Sequence, residues 1–274
     1  MTLPAAKQAP LPAALPEGSR VGGTRPDGTN TDPEAAVRVR QMFTRIAPRY
    51  DFLNHLLSFS LDRVWRRRTA RHFLDVMRGP DARVLDLCCG TGDLAFALDR
   101  AREAALCYAA GARAAIIGSD FVEPMLSRAR EKAARGKRAA VFAAADSMQL
   151  PFANESFDLV TTAFGFRNLA NYEQGLREFA RVLKPAGKVG ILEFSEPERG
   201  AMAGLFRFYF KRVLPHVGGA ISGNKEAYAY LPGSVAKFPS PSGLSALMES
   251  AGFADVGFES WNFGSVVLHF GRRM

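Results

Sequence analysis

Val84-Leu85-Asp86-Leu87-Cys88-Cys89-Gly90-Thr91-Gly92-Asp93 reads as a short strand that runs into a glycine turn and opens a helix. The apolar run from Ala82 to Leu87 supplies the strand, and residues 92 to 105 carry helical spacing behind it. Gly90 and Gly92 have no Cβ, so the backbone there can approach a ligand closely. In open α/β sheets ligands sit outside the carboxyl ends of the strands, which is where this turn falls. Position 95 is Ala, so the turn is not the G-x-G-x-x-G of dinucleotide enzymes. A lone Gly-x-Gly is equally an ordinary tight turn, and the decision rests on what surrounds it.

Toward the C-terminus the pattern alternates. Ala114 to Gly118 reads as a strand ending at Ser119-Asp120, and residues 123 to 135 as a helix with Glu123 and Pro124 in its first turn. Ala139 to Ala144 is a strand ending at Asp146; Phe157 to Ala163 is another, followed by a helix over residues 172 to 183. Lys184-Pro185-Ala186-Gly187 is a turn, and Lys188 to Phe194 a fifth strand. Then come a helix at 201 to 214, a loop region to about residue 240, a helix from Ser242 to Ala251, and strands near 255–261 and 264–270. The runs are apolar on both parities, as in strands covered by helices on both faces. Alternating β and α of this kind implies a mainly parallel sheet. The fold class is therefore α/β, a doubly wound, mostly parallel, seven-stranded sheet preceded by N-terminal helices. The interval from Thr91 to Asp120 exceeds the roughly 20 residues of the usual nucleotide fingerprint, and the Ala-rich residues 101 to 113 read as an extended helix end or an inserted loop.

Toward the N-terminus, residues 34 to 78 look helical and form a cap over the site. Asp32-Pro33 reads as a cap and first-turn pair, and Ala35, Val39, Met42, Phe43 and Ile46 follow helical spacing. After a break at Pro48, a basic helix runs from Leu61 through Trp65 with Arg63, Arg66, Arg67, Arg68 and Arg71. Residues 1 to 33 are rich in Pro, Ala, Gly and Thr and hold no aromatic residue, so a disordered tail is expected there. Residues 79 to 274 form the core domain.

The chain has 274 residues, 47% of them apolar, which suits one α/β domain with appendages. Cys88, Cys89 and Cys107 are too few and too unevenly placed for a disulfide framework, and no Cys/His cluster has zinc spacing. No stretch approaches the roughly 18 apolar residues of a membrane-spanning helix. Pro4, Pro10, Pro12 and Pro16 interrupt any signal-peptide core. The net charge of +9 attracts polyanions, either nucleic acid or an anionic membrane surface.

Two acids stand at successive strand ends. Asp120 can accept hydrogen bonds from both hydroxyls of a ribose, and Asp146 with Ser147 can meet the exocyclic amine of an adenine. Each acid alone is as readily a helix cap. Together with the glycine turn they describe an adenosine site, and without a phosphate-binding lysine motif that points to S-adenosylmethionine.

The segments Val84 to Leu94, Leu150-Pro151-Phe152, Ser156-Phe157-Asp158, Phe164-Gly165-Phe166-Arg167-Asn168 and Arg181-Val182-Leu183-Lys184-Pro185 resemble the class I methyltransferase core, whose sheet is Rossmann-like. A narrower resemblance, to the ubiquinone and menaquinone biosynthesis C-methyltransferases, lies in Met42-Phe43 through Tyr50-Asp51 to Asn54, in Trp65-Arg66 and in the Phe-Gly-x-Arg-Asn segment. Leu192-Glu193-Phe194-Ser195, Tyr230-Leu231-Pro232 and Phe238-Pro239 carry it further. It covers roughly residues 36 to 272 and implies that Thr91, Asp120, Asp146 and Ser147 line the cofactor site, where Asp86, Gly90 and Gly92 are placed with them. Two departures stand out. Ala163 replaces a frequent Ser before Phe-Gly, which removes a cofactor contact, and Asp146-Ser147 replaces the usual Asn-Ala.

The implied reaction is methylation of a ring carbon of a polyprenylated quinol, with demethylmenaquinol to menaquinol, the last step of menaquinone biosynthesis, ahead of a 2-polyprenyl-6-methoxy-1,4-benzoquinol acceptor in ubiquinone biosynthesis. A deprotonated hydroxyl makes the acceptor carbon electron-rich, so the enzyme must align sulfur, methyl and carbon and stabilise an anion, without a metal. Arg167 and Asn168 are the candidates for binding that hydroxyl or its anion. Tyr50 is a further catalytic candidate, and Asn54 and Tyr230 are expected at the substrate. Arg is always protonated and so stabilises or positions rather than acting as a base. His55, His72, His216 and His269 receive no role, and no residue is assigned as proton acceptor. An RNA or protein methyltransferase and a non-catalytic S-adenosylmethionine-binding subunit are the readings from other classes; nucleic acid is not expected as a partner, and a homodimer stays open. Residues 205 to 214 suit either a membrane-surface helix or a core-packing one, and the Arg63–Arg71 cluster either lipid headgroups or an ordinary exposed face. The protein is expected in the cytoplasm, peripheral to the inner face of the membrane.

Overall fold

The computed structural model describes residues 22–79, 81–105, 116–197 and 225–274, together with Gly204, Phe208, Tyr209 and Arg212. Helix α1 spans Asp32–Ile46 and buries the stripe Ala35, Val39, Met42 and Ile46. Its cap is Thr31 rather than Asp32: the Thr31 hydroxyl accepts from the Glu34 amide, and the Glu34 carboxylate accepts from the Thr31 amide. Such a capping box contributes about 1 kcal/mol. Pro48 ends α1 in a 3₁₀ turn, Ala47–Arg49, and three short helices follow: α2 Tyr50–Leu57, α3 Leu61–His72 and α4 Leu74–Met77.

The alternating region then runs β1 Val84–Leu87, α5 Asp93–Ala105, β2 Ile116–Asp120, α6 Glu123–Gly136, β3 Val141–Ala144, β4 Phe157–Ala163, α7 Tyr172–Val182 and β5 Leu183–Phe194. Helices α8 Lys225–Lys237 and α9 Pro241–Ser250 and strands β6 Phe253–Trp261 and β7 Val266–Arg273 complete it. The strands form one seven-stranded sheet in the order β3-β2-β1-β4-β5-β7-β6. All pairs are parallel except those of β7, which runs antiparallel between β5 and β6. Val84 of β1 sits in register with Ile116 on one side and Leu159 on the other. The strand order reverses at β1, and the carboxyl ends of β1 to β4 share one edge there, where doubly wound sheets bind ligands.

Side chains of β1 alternate between two cores. Val84 packs with Trp65, Phe73, Met77 and Leu98, under α3 to α5. Leu85 and Leu87 pack with Phe166, Phe179 and Leu244, under α7 and α9. A third cluster, Met42, Ile46, Leu53, Val122 and Val235, joins α1 and α2 to the sheet edge.

Three readings shift. Residues 22 to 33 are packed rather than a tail: the Thr24 amide donates to the Leu169 carbonyl, and the Arg25 guanidinium reaches Asp32 and the Ala170 carbonyl. These anchors are polar, so composition does not reveal them; residues 1 to 21 lie outside the described residues. The region read as a loop to residue 240 holds α8, which accommodates Pro232, a helix breaker by local rules, within its span. Strand β5 starts at Leu183, with a register shift between its pairings at Leu183 and Lys188 that absorbs the Lys-Pro-Ala-Gly turn. Helix α5 reaches Ala105, and both the rest of the Ala-rich stretch and most of residues 201 to 214 lie outside the described residues. No helix of the described residues is long and apolar enough to cross a membrane.

Candidate active site

The turn after β1 is held in an unusual backbone. Cys88, Gly90 and Gly92 all have positive φ, at 50°, 55° and 87°. Asp86, at the buried centre of β1, accepts from the Thr161 hydroxyl at 3.0 Å through Oδ1, and its Oδ2 has no partner among the described residues. Burial pushes its carboxyl up to about 7, against the pull of the Thr161 hydrogen bond. Between the ordinary value of 3.8 and about 7 the folded chain therefore holds a proton that the unfolded chain has released, so rising pH costs stability through this group. Asp86→Asn removes that cost. The Tm difference between Asp86→Asn and wild type, measured by calorimetry without ligand, is expected to grow from pH 4 to 7 and level off above. A difference independent of pH would refute the assignment.

The strand-end acids meet the turn. Asp120 accepts from the Gly90 amide at 2.8 Å and from the Val122 amide at 2.9 Å. A carboxylate offers about four acceptor sites, so two bonds leave room for two hydroxyls. Asp146 is exposed and accepts from the Met148 amide, while buried Ser147 lies 3.4 Å from the Cys88 sulfur. Gly90, Asp120, Asp146 and Ser147 line one narrow cleft, together with Asn168 and Tyr50. Beside it a small recess is lined by Asp86, Gly90, Thr91, Asp93 and Arg66. The Thr91 hydroxyl donates to Asp51 of α2, and Lys132 of α6 ties that pair together, 3.0 Å from Asp51, 3.2 Å from Thr91 and 2.6 Å from Asp93.

A second chamber of about 450 Å³ opens against the cleft, with Tyr50 and Phe164 lining both. Its walls are mainly apolar, from Met42, Ile46, Leu57, Trp65, Phe194 and Leu231. Its polar side chains include Tyr50, Asn54, Asp62, Arg66, Arg167 and Tyr230, and Asp62 is the one carboxylate among its lining residues. Burial raises the Tyr50 hydroxyl above its ordinary range, while Asn54, hydrogen-bonded to it, and the charges of Arg66 and Arg167 act the other way.

Arg167 follows β4 in a 3₁₀ turn, Phe166–Asn168, and is only 6% exposed. Its Nη1 donates to Glu193 at 2.8 Å and to the Phe164 carbonyl at 2.5 Å, and its amide donates to Glu193 at 3.2 Å. Burial works against the guanidinium charge, but Glu193 beside it, together with Tyr230 and Tyr50, outweighs that and holds the group above its ordinary range. Its Nε is buried without a partner among the described residues. The structure divides the Arg-Asn pair: Arg167 lines the apolar chamber, whereas Asn168 lines the cleft and accepts from the Tyr230 hydroxyl at 3.1 Å. Tyr230 in turn is 2.6 Å from the Thr24 hydroxyl.

Sequence reasoning missed Arg66 and Glu193. Arg66 sat within a run read as an exposed face, yet it is buried, ion-paired with Asp62 and 5.3 Å from the Phe164 ring centre. The available signal was the inward stripe Asp62, Trp65, Arg66, Thr69, with Asp62 and Arg66 four apart. His55, which had no assigned role, bonds to Asp62 through Nδ1 at 2.9 Å. His55, Asp62 and Asp93 bring ligand atoms within 4.8 Å of one another, but Arg66 and Lys132 already neutralise those carboxylates.

The sequence profile of the ubiE/COQ5 methyltransferase family matches residues 31–273. The chain belongs to that family. It is 50% identical to a demethylmenaquinone methyltransferase of Thermus thermophilus over 85% of this chain and all of that one. It is 42% identical to a ubiquinone/menaquinone biosynthesis C-methyltransferase UbiE of Geobacter sulfurreducens, over 88% of this chain and 90% of that one. A SAM-dependent methyltransferase from Thermotoga maritima, described as a possible histamine N-methyltransferase, shares the fold at 17% identity and a TM-score of 0.55, covering 86% of this chain and 100% of that one. The family member described here is thus a methyltransferase on a Rossmann-like sheet, and S-adenosylmethionine is its methyl donor.

Proposed function

We propose that this enzyme methylates a ring carbon of a polyprenylated quinol, converting demethylmenaquinol to menaquinol, and that it works as a peripheral protein on the cytoplasmic face of a membrane. The observation that carries this reading is the pair of chambers: a narrow polar cleft on the strand ends and an apolar chamber of about 450 Å³ beside it, sharing Tyr50 and Phe164. An apolar chamber that size suits an aromatic ring and the start of a lipid tail, and its polar groups are few and gathered. The relatives named as demethylmenaquinone methyltransferases support the acceptor.

The cleft fits the donor on its own chemistry: a glycine turn without Cβ atoms, an acid at the end of β2 with spare acceptor sites, and a buried carboxylate oxygen at Asp86 with no partner among the described residues. In this reading Asp120 holds the ribose hydroxyls, Asp146 and Ser147 the adenine, and Asp86, Gly90, Thr91 and Gly92 surround the methionine end, where Arg66 meets the carboxylate. Bound there, the donor supplies an electrophilic methyl on a sulfonium. Arg167 lowers the cost of ionising the acceptor hydroxyl by placing a fixed positive charge in a buried chamber, where such a charge counts for most. Glu193 keeps that guanidinium charged and aimed. Tyr50, where the chambers join, and Asn54, which lines the apolar chamber and is hydrogen-bonded to Tyr50, orient the ring. Trp65, Phe164 and Phe194 exclude water and pack as a cluster, with ring centres 4.5 to 6.2 Å apart. Asn168, through Tyr230 and Thr24, ties the end of β4 to the N-terminal segment.

Arg66→Lys keeps the charge and loses the planar fork. The expected result is a donor KM raised about tenfold with kcat within about threefold; an unchanged donor KM removes Arg66 from the cofactor site. The reading as a whole is tested by incubating the protein with methyl-labelled S-adenosylmethionine and reduced demethylmenaquinone, beside a reduced 2-polyprenyl-6-methoxybenzoquinone and RNA. Label in menaquinol is expected. Label only in the benzoquinol reverses the acceptor, and label only in RNA overturns the quinol reading.

A further inference from the structure

The mouth of the apolar chamber carries a set of side chains that water alone does not explain. Phe59 and Phe263 line the chamber, yet they are 77% and 75% exposed. Each stands on left-handed backbone, at φ 52° and 59°. For a phenylalanine that conformation costs about 1 kcal/mol or more, and an exposed turn would ordinarily take Gly or Asn there. Phe59 lies between α2 and α3, and Phe263 in the turn between β6 and β7, so two distant parts of the chain each place an aromatic ring at the same opening. On α2, just before Phe59, Phe52 and Leu56 stand one turn apart and are 59% and 43% exposed, and Leu61, which lines the chamber, is 38% exposed. Phe208 is 60% exposed, and its neighbour Tyr209 packs 6.1 Å from the Phe59 ring and bonds to the Leu57 carbonyl. Exposed apolar clusters of this size on a folded chain mark a binding surface.

The charge beside this rim is of one sign. Helix α3 begins two residues after Phe59 and presents Arg63, Arg67 and Arg71, spaced four apart on one exposed face. None of the three has a carboxylate partner among the described residues. Rings at the level of the acyl chains and arginines at the level of the headgroups are the arrangement of an interfacial membrane site, and the net charge of +9 adds to it.

We propose that the chamber rim at Phe59 and Phe263, with the exposed Phe52 and Leu56 of the adjoining α2 and the Arg63–Arg67–Arg71 face, docks on an anionic lipid bilayer, so that the chamber opens directly into the acyl layer. A lipid-tailed acceptor then moves laterally from the bilayer into the chamber, its ring never crossing water. This surface rests on the reading of the acceptor as a membrane-held quinol, but its lipid binding is measured without any acceptor.

The test uses the full-length protein and vesicles of phosphatidylcholine with or without phosphatidylglycerol. Wild type is expected to co-sediment with the anionic vesicles and far less with the neutral ones. Phe52→Ser/Leu56→Ser, whose residues line neither chamber, is expected to lose at least about tenfold in vesicle partitioning. It keeps wild-type turnover of a short-tailed, water-soluble quinol and slows on a long-tailed quinol embedded in vesicles. Arg63→Gln/Arg67→Gln is expected to erase the preference for anionic lipid. Equal sedimentation of wild type and Phe52→Ser/Leu56→Ser, or no sedimentation of wild type, overturns the proposal. So does a dimer in sedimentation equilibrium that Phe52→Ser/Leu56→Ser dissociates, because the rim would then cover a second copy. Vesicle binding with the expected mutant pattern, but no methylation of any quinol, upholds the docking surface and rejects the acceptor.

Discussion

Arg167→Ala is expected to lower kcat by about a hundred- to a thousandfold at saturating donor, the range seen when one preorganised group that stabilises developing charge is removed. The same substitution leaves Glu193, 1% exposed, without its ion-pair partner. Breaking a buried pair from one side costs about 3–5 kcal/mol, a large part of the roughly 5–15 kcal/mol that holds a domain together. Activity and stability therefore fall together in the single variant, and the single variant alone does not separate them. Arg167→Ala/Glu193→Gln does. Replacing the orphaned carboxylate with a neutral amide removes the uncompensated charge, so the double variant is expected to recover most of the denaturation midpoint and none of the turnover. A pH profile adds a second readout. Without the guanidinium the acceptor must ionise by itself, near the ordinary phenol value of about 10, so the residual activity of the double variant is expected to climb steeply with pH where wild type is flat. Turnover that returns along with stability in the double variant would reduce Arg167 to a structural role.

Strongly periodic, buried elements were readable from one sequence, and long-range polar pairings were not. The strands of the parallel sheet are apolar on both parities because helices cover both faces, and β1, buried at all four positions, is the clearest case. Asp120 and Asp146 could be placed at strand ends because a strand followed by a polar residue is a local pattern. Arg66 depends instead on which face of α3 turns inward, and five arginines within one short helix hide that face from any count of charges. Glu193 reads as one more strand residue until the fold sets it against Arg167, 26 positions earlier. Tyr230 and Thr24 meet across 206 positions, so neither the ordered segment at residues 22 to 33 nor the partner of Asn168 has a local signature. Residues up to about 240 read as a loop, yet Pro232 lies inside α8, where tertiary packing overrules a rule that holds for isolated helices.

Gly165→Ala is expected to disable donor binding, and a second substitution in the cleft is expected to restore it. Gly165 follows β4, whose residue Thr162 is in parallel register with Leu87 at the end of β1. The two strand ends are so close that a Cβ on Gly165 would overlap the Cβ of Cys88 and lie 3.3 Å from both the Cys88 carbonyl and the Thr162 hydroxyl. Both Gly165 and Cys88 line the cleft, so the clash cannot be relieved without moving the turn that carries Gly90 and Gly92. Overpacking of this kind costs about 1–3 kcal/mol, which at the cofactor turn translates to about a ten- to hundredfold weaker donor. Cys88 offers the remedy. Its φ of 50° is a left-handed conformation that glycine adopts without strain, and Cys88→Gly deletes the very atom that the methyl added by Gly165→Ala would meet. Cys88→Gly alone is expected to leave donor affinity within about threefold, because it forfeits the sulfur contact to Ser147 and some packing against the core but gains relief of backbone strain. Gly165→Ala/Cys88→Gly is then expected to bind S-adenosylmethionine to within about threefold of wild type by titration calorimetry, a recovery that two independent lesions would not show. If the double variant binds no better than Gly165→Ala, contact between the ends of β1 and β4 is not what shapes the cleft, and the turn is set by the clamp of Asp51, Thr91 and Lys132 from the helical side instead.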